Sequence, residues 1–92
     1  MLSGNWRVLN HMPTARQIAR AFNSIPHEYF LRRNKARKDG KQWEVCAQKI
    51  DGPVAPKVLS AFPDADEAEY YRERVEDDAR GKAVLRLFKD GQ

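Results

Sequence analysis

The sequence predicts an α+β fold: a small antiparallel sheet of three to four strands with two helices. Three observations lead there. Apolar residues recur at helical spacing in "TARQIARAFN", they alternate in "WEVCAQK", and Gly, Pro and Asn/Asp punctuate the chain between such segments. With 92 residues, 41% apolar and 33% charged, the chain is sized for a single domain, 1–92, in which residues 1–12 form an extension or a short strand.

The elements follow in order. Trp6, Val8 and Leu9, with polar neighbours, allow a short strand or a docked extension. In "MPTARQIARAFNSIP", Thr14 precedes Gln17 by three residues, as in a capping box, and Ala15, Ile18, Ala19, Phe22 and Ile25 form the apolar side. Asn23, Ser24 and Pro26 stop that helix. Asp39-Gly40 signals a two-residue hairpin turn, because both central residues of a type I′ turn need positive φ. Tyr29, Phe30 and Leu31 favour a strand before it, the alternative being a helix over 28–38 capped by Gly40. After the turn, Trp43, Val45 and Ala47 fall on one strand face and Glu44, Cys46 and Gln48 on the other. "DGPVAPK" is a loop leading to "VLSAF". Asp64 and Glu67 make a capping pair for a second helix, with an apolar stripe at Ala68, Tyr71, Val75 and Ala79 and a stop at Gly81. "KAVLRLF" then reads as a last strand, apolar on both faces.

Charge is partitioned along the chain. The net value is +4, but residues 1–63 carry a balance of +7, residues 64–80 one of −5 and residues 81–92 one of +2. A basic body and an acidic segment suit a polyanion or an acidic protein surface on one side, and they also serve solubility. Cys46 is the one cysteine, no apolar run reaches the length of a membrane span, and the N-terminus lacks the pattern of a secretory signal. A cytoplasmic location is the expectation.

Catalytic patterns are missing. No glycine is placed as in a phosphate-binding loop, and His11, His27 and Cys46 lack metal-ligand spacing. Cys46 sits mid-strand with no sequence argument for its activation, and the acids of 64–78 spread over both flanks of a helix. The expectation is a non-enzymatic protein with no cofactor and no metal.

Binding is what remains. "RRNKARKDGKQW" holds six basic side chains against one acid: Arg32, Arg33, Lys35, Arg37, Lys38 and Lys41 within ten residues. Strand alternation would send Arg33, Lys35 and Arg37 to one face and Arg32 and Lys38 to the other, making a basic finger suited to a sugar-phosphate backbone. Edge strands also use lysines against aggregation, so the bland reading stands beside this one. Arg16 and Arg20, four apart on the first helix, are candidates to extend the basic surface. Tyr29, Phe30 and Trp43 offer rings for stacking on bases, although Trp43 alternates with Val45 and Ala47 as a core residue does.

The whole-chain profile, with basic "RRNKARKDGK", acidic "PDADEAEYYRERVEDD", a small α+β fold and no catalytic motif, resembles small phage-encoded anti-CRISPR proteins aimed at type I-F surveillance complexes. Those proteins share no signature motif, so no functional residues carry over onto this numbering. The resemblance implies a stoichiometric inhibitor in the host cytoplasm. It would bind a Cas ribonucleoprotein, through Cas subunits and the guide RNA backbone, and block target DNA. The positive net charge departs from the strongly acidic DNA mimics of that group, which puts mimicry in doubt and leaves competition at a nucleoprotein surface. The alternatives are a small basic DNA- or RNA-binding regulator and an adaptor that offers an exposed strand to a protein partner.

Overall fold

A computed structural model describes residues 12–90. The expected strand or extension at Trp6–Leu9 lies outside the described residues. Five elements follow one another: α1 (Ala15–Asn23), β1 (His27–Arg33), β2 (Trp43–Lys49), β3 (Lys57–Phe62) and α2 (Ala65–Asp90). The chain forms two compact units, one of residues 26–78 and one of residues up to 25 together with those from 79 onward.

The 26–78 unit is a three-stranded antiparallel sheet in the order β1-β2-β3, with the first part of α2. This is the predicted α+β class. Residues 28–33 are strand, not helix, and β1 pairs with β2 from His27↔Lys49 to Arg33↔Trp43. The register of β2 on β3 slips between Val45↔Ser60 and Cys46↔Val58, so Leu59 is an extra residue that bulges β3. Paired residues share a face. Leu31, Val45, Ser60, Arg33, Trp43 and Phe62 therefore lie on one side, and Phe30, Cys46, Val58, Arg32, Glu44 and Ala61 on the other. The ring of Tyr71 meets Phe62 on the first side, with centroids 5.2 Å apart, and Ala68 one turn earlier is wholly buried. Glu44, Val45, Cys46 and Ala47 are all buried, so β2 is shielded on both faces. Burying Val45 contributes roughly 1.5–3 kcal/mol.

Helix α2 starts where its sequence suggests, but the expected pairing of Asp64 with Glu67 is corrected: the Asp64 carboxylate accepts the amide of Asp66 at 3.0 Å, and Asp66 and Glu67 occupy the first turn. Its end is a correction. Residues 82–88, expected as a final strand, are helical. Ala83, Val84, Leu87 and Phe88 are half-buried while Lys82, Leu85, Arg86 and Lys89 are exposed, which is the 3.6-residue period of a helix. Gly81 does not stop the helix, because its backbone stays at negative φ inside the run.

In the other unit, α1 carries the full capping box. Gln17 donates its amide to Thr14 Oγ1 at 3.2 Å, and Gln17 Oε1 accepts the Thr14 amide at 2.9 Å. Ile18 and Ala21 are half-buried, whereas Phe22 stays largely exposed with the Arg80 guanidinium over its ring, 5.0 Å from the centroid.

Candidate nucleic-acid interface

The basic segment is built around a carboxylate. Glu44 belongs to β2, on the face opposite Trp43, Val45 and Ala47, and it is only 2% exposed. A buried carboxylate is costly unless it is paired and hydrogen-bonded, and Glu44 is both. Its Oε1 accepts Arg32 Nε at 3.0 Å and Nη2 at 2.9 Å. Its Oε2 accepts Arg37 Nη1 at 2.9 Å and Asn34 Nδ2 at 3.2 Å. Arg32 is opposite Glu44 in the register, so the sheet itself delivers that pair. Arg37 arrives from the loop and turns its other edge to Asp39, with Nε and Nη2 on the two carboxylate oxygens at 3.2 and 2.8 Å.

The loop joining β1 to β2 is folded as tightly as its ion pairs suggest. The Asn34 amide donates to the Gln42 carbonyl at 2.7 Å and closes its base. Asn34 Oδ1 accepts the Ala36 amide at 3.1 Å, an Asx turn, and Asp39 Oδ1 accepts the Lys41 amide at 2.9 Å. Gly40 has φ +78°, the left-handed conformation that glycine adopts without strain. The expected two-residue turn at Asp39-Gly40 is thus corrected: the connection runs over 34–42, where the Asn34 and Arg37 side chains are drawn to Glu44 and Asp39 instead of continuing the ladder. The expected alternation of Arg33, Lys35 and Arg37 against Arg32 and Lys38 fails for the same reason, since Arg32 and Arg37 converge on one carboxylate.

Electrostatics follow from this geometry. Arg37 first, then Arg32 and Asn34, hold the Glu44 carboxyl below the ordinary glutamate range, against the opposing effect of burial. Arg37 and the Lys41 amide bring Asp39 from 3.8 down to about 2. Both arginines are correspondingly raised, Arg32 chiefly by Glu44 and Arg37 by Asp39 and then Glu44. Burial pushes the Cys46 thiol up, so it stays protonated and poorly nucleophilic near neutrality.

The eight basic candidates therefore separate into groups. Arg32 and Arg37 are structural cations. Arg33 reaches Gln42 Oε1 at 3.3 Å through Nη2 and lies over the Trp43 ring, 5.6 Å from its centroid, so its charge has no acidic partner among the described residues. Lys35, Lys38 and Lys41 are exposed on the loop and form no ion pair among the described residues. Arg16 and Arg20 are exposed residues of α1 and belong to the other unit. Sequence reasoning missed Glu44 and Asn34. The available signal was a carboxylate set among Trp43, Val45, Cys46 and Ala47, a strand too apolar for a solvated glutamate.

Among the described residues no group of three or more His, Cys, Asp or Glu side chains is placed to hold a metal ion, and no helix is long and apolar enough to cross a membrane. The chain matches no protein-family model, no curated protein and no solved structure.

Proposed function

We propose that this chain is a non-enzymatic, cytoplasmic binding module that grips the sugar-phosphate backbone of duplex DNA with the β1–β2 ribbon and its 34–42 loop. The observation that carries the reading is the division of labour around Glu44. Two arginines are consumed in holding the loop, and Lys35, Lys38 and Lys41 are left on a preformed support. A support of this kind lowers the ordering cost of binding. Lysines on it act as point charges on phosphate, which position a protein without reading sequence. An antiparallel ribbon fits the major groove of B-DNA, whereas the deep, narrow major groove of A-form RNA does not admit one.

One observation favours a second reading. The first part of α2 is acidic, with Asp66 and Glu67 in its first turn. A polyanion is repelled there and a basic protein surface is attracted, a combination suited to a ribonucleoprotein partner such as a Cas surveillance complex. Fluorescence anisotropy with a labelled DNA duplex, an RNA hairpin and a single strand, alongside a pull-down on an assembled type I-F complex, separates the two. Duplex binding that weakens steeply with salt, and exceeds binding to the RNA hairpin, is the expected result. Capture of the Cas complex with no affinity for any naked nucleic acid at low salt overturns the first reading in favour of the second.

A further inference from the structure

We infer that the 26–78 unit carries a second binding site of opposite sign, a groove that takes an arginine side chain from a basic peptide segment of a partner protein. The groove holds about 670 Å³ and is lined by Phe62, Tyr70, Tyr71, Asp66, Glu67 and Arg74. It lies where the first three turns of α2 pass the end of β3, on the sheet face that carries Phe62. Helical spacing stacks Asp66, Tyr70 and Arg74 in one row and Glu67 and Tyr71 in the next.

Three aromatic rings and two carboxylates select the occupant's chemistry. Aromatic faces attract cations, and arginine more than lysine because its guanidinium is planar, stacks and is weakly hydrated. The carboxylates of Asp66 and Glu67 form no ion pair among the described residues and stand at the helix start, free for a bidentate guanidinium. Tyr70 is 63% exposed, so much of its ring is open to solvent in the groove. The protein demonstrates the affinity internally. The Arg74 guanidinium sits over the Tyr70 ring, 5.6 Å from its centroid, and its Nη1 donates to the Tyr70 hydroxyl at 3.2 Å. A partner arginine takes the Phe62, Tyr71 and carboxylate side of the groove and competes with Arg74 for Tyr70. This site stands whether or not the loop binds DNA.

The test uses a short fluorescein-labelled peptide with arginine on either side of a leucine, and a control with citrulline in place of both arginines. Binding of the arginine peptide to the full chain, about tenfold tighter than the citrulline peptide, is expected. Asp66→Asn with Glu67→Gln weakens it by a similar factor, and Tyr70→Ala weakens it several-fold without changing any charge. Arg74→Gln tightens it, because the competing guanidinium is gone. Equal affinity for the two peptides overturns the proposal, as does a Tyr70→Ala variant that binds like the parent, since long-range attraction to an acidic helix needs no ring. Aromatic-proton shifts of Phe62, Tyr70 and Tyr71 on adding the peptide to the unsubstituted chain report the same contact independently of any variant's folding, and shifts confined to other residues overturn it.

Discussion

Replacing Lys35, Lys38 and Lys41 together by alanine should flatten the salt dependence of duplex binding by an amount that the loop geometry sets. Each phosphate neutralised adds about −0.9 to the slope of log affinity against log salt. Six basic side chains in the segment would give a slope of about −5.4 if all engaged phosphate. The structure withdraws Arg32 and Arg37, whose guanidinium groups are committed to Glu44 and Asp39, and leaves Arg33, Lys35, Lys38 and Lys41. The expected slope is then about −3.6, so a rise from roughly 50 to 200 mM salt weakens binding about 150-fold, against about 1,800-fold for six contacts. In the triple variant only Arg33 remains, and the same rise costs about 3.5-fold. Anisotropy of a labelled duplex, titrated at several salt concentrations for both proteins, yields the two slopes. A parent slope near that for six contacts would show that Arg32 and Arg37 leave Glu44 to meet DNA. An unchanged slope in the triple variant would refute the assignment of the lysines altogether.

Three further outcomes are expected. Glu44→Gln leaves an amide facing the donors of Arg37 and Asn34, so the melting temperature should fall by roughly 5–10 °C and duplex affinity should fall with it, by calorimetry and anisotropy respectively; an unaltered melting temperature would remove Glu44 from its central place. Asp39 and Glu44 are both depressed in the folded state, so the stability they confer is complete above their unfolded values. It is lost as pH falls, for Asp39 between 3.8 and about 2, and acid unfolding followed by circular dichroism should show stability declining there. Gly81→Ala should stabilise the chain by about 0.5–1 kcal/mol, because Gly81 is helical with nothing within 4 Å of the added methyl; destabilisation would mean that the residue ends the helix after all.

What could be read in the residues, and what could not, divides by the range of the interactions involved. The capping box of α1 and the start of α2 are local hydrogen bonds between residues two or three apart; the box and the position of the second helix start were legible, although Asp64 bonds the Asp66 amide and not Glu67. The strand β2 was legible as a strand, from its alternation and its aromatic and β-branched residues. Its burial was not, because period-2 reasoning separates Glu44 and Cys46 from Trp43, Val45 and Ala47 without telling that both faces are covered, which depends on contacts from elsewhere in the chain. The partners of Glu44 lie twelve, ten and seven residues away in sequence, at Arg32, Asn34 and Arg37. No spacing rule links a buried acid to cations at such separations. The end of α2 failed for a different reason. In "KAVLRLF" apolar residues sit on both strand faces and also at helical spacing, and Gly81 reads as a stop although a single glycine inside a long helix costs only about 1 kcal/mol. The basic segment was legible as basic. That two of its arginines build the loop while its lysines are displayed emerges only from three-dimensional pairing.

The most direct test of that pairing is backbone ¹⁵N relaxation across residues 34–42 of the free protein. Order parameters close to those of β1 and β2, near about 0.85, are expected for a loop tied down by Glu44, Asn34 and Asp39 before any ligand arrives. Values below about 0.6 in the same segment would describe a flexible tether instead, and would contradict the preformed basic loop on which the proposed function rests.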